Sequence, residues 1–152
     1  MDFQISVDIA APADVVWSVM SDIERWHEWT PSVRGIQLLG PGPIRVGSRA
    51  VVRQPKLPPA MWTVVSIDPG SGFVWKSGVP GMWVYAHHSV EPIASSCDMG
   101  GVCTHARLRL HFEGPVSRLL GRLTCNINDR YLAMEAAGLK KRSEQLTATT
   151  AA

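Results

Sequence analysis

The sequence predicts an α+β fold in which a seven-stranded antiparallel sheet is combined with a long C-terminal helix and two short helices. Three observations predict it: a strand followed at once by a helical segment, a long region of short strands, and one continuous helical pattern near the C-terminus. The 152 residues suit one domain. We expect residues 1–146 to form it and residues 147–152 to be a flexible tail.

The first strand and the helical segment after it are well marked. Residues 3–9 alternate apolar and polar side chains, as in a half-buried strand. In the following run, APADVVWSVMSDIERWHEWTP (11–31), Pro12 suits the first helical position and Asp14 places negative charge near the exposed N-terminal amides. The segment is therefore predicted to hold the two short helices.

Six further strands are predicted from alternating runs separated by Gly and Pro turns, at 33–39, 47–54, 61–67, 73–77, 82–90 and 102–112. Turns this closely spaced favour antiparallel neighbours.

From Pro115 to Gln145 the pattern becomes helical, over roughly 45 Å at 1.5 Å per residue. The residues expected to face the sheet recur every three or four positions: Val116, Leu120, Leu123, Ile127, Tyr131, Met134 and Gly138.

Composition narrows the classes of partner and compartment. The net charge of +2 comes from interspersed signs, so nucleic acid is not expected as a partner. Neither a signal peptide nor an apolar run of membrane-spanning length is present, which predicts a cytoplasmic protein without stable membrane insertion. The three cysteines lack metal-type spacing and are expected to be reduced, although Cys97 and Cys103 could meet across a hairpin.

Several motifs resemble the helix-grip superfamily, which includes START-related lipid carriers, polyketide cyclase/dehydrase (SRPBCC) proteins and birch-pollen-allergen-like carriers. The motifs are the opening run at 11–31, DPGSGFVW at 68–75, HSVEP at 88–92, GGVCT at 100–104 and GLKKRSE at 138–144. The resemblance spans nearly the whole chain. It implies a curved sheet wrapped around the C-terminal helix, with an apolar cavity for a lipid, polyketide, sterol or hormone between them.

His88 is the principal candidate for polar chemistry. Alternation places it on the inward face of the sixth strand together with Met82, Val84, Ala86 and Val90. It could orient a ligand or exchange protons near neutral pH. Alternatively, it is a buried histidine satisfied by the backbone or by a hydroxyl such as that of Thr104.

The seventh strand carries an outward row that is cationic: His105, Arg107, Arg109 and His111. We interpret this row as a solvated face, with a site for anionic groups as the alternative. His105 and His111 are too far apart to share an ion, and adjacent His87 and His88 point to opposite faces, so neither a metal nor another cofactor is predicted.

Further ligand contacts are expected from tryptophans, from two apolar loops and from the last helix. The loops, 56–60 and 78–81, could form an entrance or be proline-stiffened turns. The predicted ligand-binding set is Trp26, Trp29, Leu57, Pro58, Trp62, Trp75, Val79, Met82, Val84, His88, Leu108, Leu123, Ile127, Tyr131 and Met134.

The favoured function is binding or transport of a hydrophobic small molecule. Because no catalytic motif is present, an enzyme remains an alternative: a polyketide cyclase or aromatase using the same cavity, with His88 moving a proton and Tyr131 or Asn128 positioning a carbonyl. A third hypothesis is a protein-interaction domain, and a homodimer is left open.

Overall fold

A computed structural model describes residues 1–94 and 101–151, and it confirms the predicted fold class. Seven strands form one antiparallel sheet in the order β1-β7-β6-β5-β4-β3-β2. Two α-helices and a 3₁₀ helix complete the domain. The elements are β1 (Asp2–Ile9), α1 (Ala13–Ser21), the 3₁₀ helix (Ile23–Glu28), β2 (Gly35–Leu39), β3 (Arg49–Arg53), β4 (Ala60–Asp68), β5 (Gly72–Val79), β6 (Met82–Ile93), β7 (Cys103–Glu113) and α2 (Ser117–Ala151).

The two short helices occupy the predicted segment. Pro12 lies just before α1, in an extended conformation, rather than at its first helical position, and Asp14 is in the first turn. Trp26 of the 3₁₀ helix is almost fully buried, and its indole N–H donates to the backbone oxygen of Met20 at 3.0 Å. This bond ties the two helices together and fixes Trp26 toward the core.

Alternation along β6 and β7 separates an inner face from an outer face as predicted. Ala86, His88 and Val90 of β6 are buried, as are Ala106 and Leu108 of β7. Val102 begins the predicted strand 102–112, and alternation with the outward row predicts that it faces inward; it is 63% exposed because β7 begins only at Cys103.

The inner side of α2 overlaps the predicted stripe only in part: Tyr131 is buried and Gly138 lies against Trp29, but the first half of the helix differs. Leu123 is 71% exposed and Val116 is 42% exposed, so the expected apolar stripe is wrong over the first half of the helix. The face that is turned inward lies about one residue further along: Ser117, Gly121, Asn128, Leu132, Glu135, Leu139 and Ser143. One residue corresponds to about 100° of helical rotation, which exchanges apolar side chains for polar ones on the inner surface.

Helix α2 continues to Ala151, through most of the segment expected to be a flexible tail. Over the described residues, no helix is both long and apolar enough to cross a membrane.

Cys125 carries a free thiol, whereas Cys103 is disulfide-bonded, contrary to the expectation of a reduced thiol there. Cys97 lies outside the described residues.

Candidate functional site

A cavity of about 440 Å³ lies between the inner face of the sheet and α2. Its volume is within the range of small-molecule sites. Most of its wall is apolar and comes from β3 to β7, with α2 closing the other side. Most of the predicted ligand-binding residues line it: Trp26, Leu57, Pro58, Trp62, Trp75, Val79, Met82, Val84, His88 and Tyr131; Asn128 does so as well.

Five predicted residues are absent from the wall of this cavity: Trp29, Leu108, Leu123, Ile127 and Met134. The three α2 residues are displaced because the helix is rotated relative to the predicted stripe. Leu108 is buried in the hydrophobic core, and Trp29 packs on Trp26 with ring centroids 5.5 Å apart.

Aromatic rings form one continuous cluster along the cavity. Trp75 has ring centroids 5.6 Å from Trp26 and 5.3 Å from Trp62. The indole N–H of Trp62 is buried without a hydrogen-bond partner among the described residues. Trp83, in contrast, is 40% exposed, with the Lys76 ammonium 4.1 Å from its ring. Trp26, Trp62 and Trp75 therefore line the cavity, whereas Trp83 does not.

His88 is held rigidly in the wall. Its imidazole stacks on Phe73 at a centroid distance of 4.7 Å and an interplanar angle of 8°, and it also contacts Trp26 at 5.2 Å. Thr104 does not satisfy it: the Thr104 hydroxyl donates to the backbone oxygen of Ala11, and no hydrogen bond joins it to the His88 ring within the described residues. Instead, Nε2 lies 3.7 Å from Oε2 of Glu135, and Nδ1 is buried with no partner in the described part of the chain.

Glu135 is a buried carboxylate on the inward face of α2. Besides His88, its neighbour is the Ser32 hydroxyl, 3.4 Å from Oε1. Ser32 is in turn 2.8 Å from the Thr30 hydroxyl, and both are fully buried. A short chain of hydroxyls after the 3₁₀ helix therefore supports the carboxylate at the cavity wall.

Sequence reasoning missed Glu135, Ser32 and Thr30. The available signal was the spacing of Thr124, Asn128, Tyr131 and Glu135, which places these polar side chains on one face of a helix. Tyr131 and Asn128 of this row were expected near the cavity, but the row was not extended to Glu135 because the apolar stripe beside it was expected to face the sheet.

Two other α2 side chains are anchored near the cavity. The Tyr131 hydroxyl donates to the backbone oxygen of Pro55, which leads into the β3–β4 loop. The Asn128 amide donates to the Thr124 hydroxyl at 3.0 Å, which leaves its side-chain oxygen able to accept. Tyr131 thus holds the loop, while Asn128 and Glu135 present acceptors.

Both predicted loops contribute to the same cavity, with Leu57 and Pro58 from one and Gly78 and Val79 from the other. Lys56 has a φ of 62°, a left-handed conformation that non-glycine residues seldom adopt. Val79 is 57% exposed, so this end of the cavity has an apolar rim.

The outer face of β7 is covered by ion pairs with β1. Arg109 contacts Asp2 at 2.6 Å, and His105 contacts Asp8 at 2.7 Å. Hydrogen bonds from His111 and then Arg109 lower the pKa of the Asp2 carboxyl. Burial, together with the nearby Arg109 charge, lowers the pKa of His87 on the same face.

In the described residues, no group of three or more His, Cys, Asp or Glu is arranged to hold a metal ion.

The seven-stranded sheet, the long helix α2 and the apolar cavity between them define a helix-grip fold. Residues 1–144 match the family described as polyketide cyclase/dehydrase and lipid transport, and the chain belongs to this family.

Solved structures agree with this architecture. A protein from Thermobifida fusca is 23% identical with a TM-score of 0.74, covering 95% of this chain and 94% of that one. A START superfamily protein from Mycobacterium smegmatis is 19% identical with a TM-score of 0.62, covering 96% and 99%. The di-domain ARO/CYC StfQ from the steffimycin biosynthetic pathway is 14% identical with a TM-score of 0.69, covering 97% of this chain and 51% of StfQ. At these identities, the likeness shows the fold. Among curated proteins, none matches this chain.

Proposed function

We propose that this protein binds a hydrophobic small molecule, of the lipid, polyketide or aromatic class, in the cavity between the sheet and α2. The observation that carries the proposal is a cavity of about 440 Å³, open at one end, with a mainly apolar wall. A close-packed domain leaves few voids larger than a water molecule, so a volume of this size is a feature that needs an occupant. Family membership supports the same general role, ligand binding or cyclisation.

Affinity would come mainly from burial of the ligand's apolar surface, at about 25 cal/mol per Å². The tryptophans supply large flat surfaces for rings or chains. The polar side chains at α2 and His88 would fix the orientation of the ligand. A protein-interaction domain has less support, because a filled core without a cavity would have favoured it.

The first experiment is native mass spectrometry of gently purified protein, followed by organic extraction and identification of any bound compound. A thermal-shift screen of lipids and aromatic polyketides would follow. We expect a resident ligand or a stabilising compound. If neither is found, the ligand-binding proposal is wrong.

A matched pair of variants places the ligand. Val84→Trp introduces a large side chain into the cavity wall, whereas Val65→Trp makes the same change at a 41% exposed position of β4 that is outside the wall. We expect Val84→Trp to lose the ligand and Val65→Trp to retain it, with both variants folded by circular dichroism. Retention of the ligand by Val84→Trp at full occupancy would place the site elsewhere.

The second candidate is a cyclase-type enzyme, which is favoured by the approach of the His88 imidazole to the Glu135 carboxylate at the cavity wall. In such a reaction, an imidazole nitrogen would take a proton from the carbon next to a ketone, and the C–H electron pair would form the enolate double bond. Exchange of these protons of 2-tetralone in D₂O, followed by NMR, tests the step. Exchange that is no faster than the solvent background, or that is unchanged in His88→Gln, argues against this function.

We also propose a cytoplasmic location for the protein, with a homodimer as the oligomeric state to be tested. Size-exclusion chromatography with light scattering distinguishes a monomer from a homodimer.

A further inference from the structure

We infer that the cavity prefers an organic cation, an apolar molecule carrying a protonated amine, which would place its ammonium group against Glu135. This inference rests on the proposed function, because it names the ligand class of the same cavity. It follows from the charge of the wall, the unfilled hydrogen-bonding capacity of Glu135 and the surrounding aromatic rings.

Among the described residues that line the cavity, Glu135 is the only one with a carboxyl side chain. The basic residues along the same wall are His87, His88 and Arg109. Alternation places His87 and Arg109 on the outer face of the sheet, where the Arg109 guanidinium pairs with Asp2. Only His88 therefore faces Glu135 from the sheet side.

His88 is poorly placed to neutralise the carboxylate. The nitrogen that faces the Glu135 carboxyl group is Nε2, so a hydrogen carried there is the one that could be donated to Glu135. A doubly protonated ring would also carry a hydrogen on Nδ1, which is buried and has no acceptor within the described residues. Burying such a donor unpaired is costly. Among the described residues, His88 therefore gives Glu135 a single contact, through Nε2 at 3.7 Å.

The carboxylate thus keeps much of its accepting capacity. Its two neighbours stand at 3.4 Å and 3.7 Å, longer than the usual 2.7–2.9 Å of a charge-assisted hydrogen bond. The side chain is 12% exposed, and Glu135 lines the cavity, so a ligand can reach it. A buried carboxylate without a close cation is unfavourable, and an ammonium group would supply both the charge and several donors.

The remaining wall suits the same class of ligand. Asn128 offers an amide oxygen about two turns before Glu135 along the inward face of α2. Trp26, Trp62, Trp75 and Tyr131 also line this cavity. Ring faces attract cations, and the attraction is larger where water is excluded. A neutral or anionic ligand of the same shape would gain neither interaction.

Three naphthalene compounds that differ in charge test the inference by isothermal titration calorimetry at pH 7: 2-(2-naphthyl)ethylamine, 2-(2-naphthyl)ethanol and 2-naphthylacetate. We expect the amine to bind about tenfold tighter than the alcohol, which corresponds to the energy of one desolvated cation–π or ion-pair contact, and the acid to bind weakest. Glu135→Gln should remove the advantage of the amine, so that the amine and the alcohol bind this variant with similar affinity. Glu91→Gln, the same substitution at an exposed position of β6, should leave the preference intact.

The outcomes separate this inference from the proposed function. Equal binding of amine and alcohol, stronger binding of the acid, or an undiminished preference in Glu135→Gln overturns the organic-cation inference, while hydrophobic binding stands. A neutral or anionic resident compound found by mass spectrometry overturns it as well. If no naphthalene compound binds and no resident ligand is found, the proposed function fails.

Discussion

Gly138 lies where α2 closely approaches Trp29, the residue that follows the 3₁₀ helix. A Cβ atom built there would overlap the backbone oxygen of Trp29, and it would lie 3.0 Å from the carbonyl carbon and from Cε3 of the same residue. The obstacle is mainly backbone, which cannot rotate away as a side-chain end can. Substitution by alanine must therefore move the helix or the segment after the 3₁₀ helix.

Gly121 provides an internal control on the same helix. A Cβ atom there would meet the end of the Met1 side chain, which is flexible and lies at the chain terminus. Alanine is about 1 kcal/mol more favourable than glycine in a helix interior. Gly121→Ala should therefore be neutral or more stable by up to about 1 kcal/mol.

For Gly138→Ala the same gain opposes an overpacking cost of about 1–3 kcal/mol, and the backbone obstacle favours the upper end. We expect a net loss of about 2 kcal/mol in the free energy of unfolding. Urea denaturation followed by tryptophan fluorescence measures it as a lower midpoint with an unchanged slope. Equal stability of the two variants would show that α2 does not approach Trp29 this closely.

Two further predictions concern the cavity loop and the outer face of the sheet. Tyr131→Phe removes the hydrogen bond to the Pro55 carbonyl, which should cost about 1 kcal/mol and speed hydrogen exchange of the Lys56 and Leu57 amides; unchanged exchange would show that the hydroxyl does not hold the loop. His111 and Arg109 lower the pKa of the Asp2 carboxyl in the folded protein below its ordinary value of 3.8, so its contribution to stability is present above pH 3.8 and is lost as the pH falls through the folded pKa. Asp2→Asn should flatten the acid side of the stability profile, and a profile identical to that of the unsubstituted protein would contradict this.

Local patterns predicted the strands because alternation and turn residues are short-range signals. Residues 82–90 and 102–112 were placed within a few residues of β6 and β7, and the inward position of His88 followed from counting along the strand. The existence of a long C-terminal helix was equally clear. Its orientation was not, since the helix carries apolar side chains on more than one side.

The sequence by itself determined the fold class and the order of its elements, because periodicity and turn chemistry act between neighbouring residues. Only the tertiary structure decided which side of α2 faces the sheet. Leu123 is exposed and Glu135 is buried, which is the opposite of the usual distribution of apolar and charged side chains. The reason is that α2 borders a cavity rather than a packed core. Polar groups there can form hydrogen bonds with hydroxyls from another segment, such as that of Ser32. The contact between His88 and Glu135 joins positions 47 residues apart in the sequence, and no local pattern predicts a contact over such a separation.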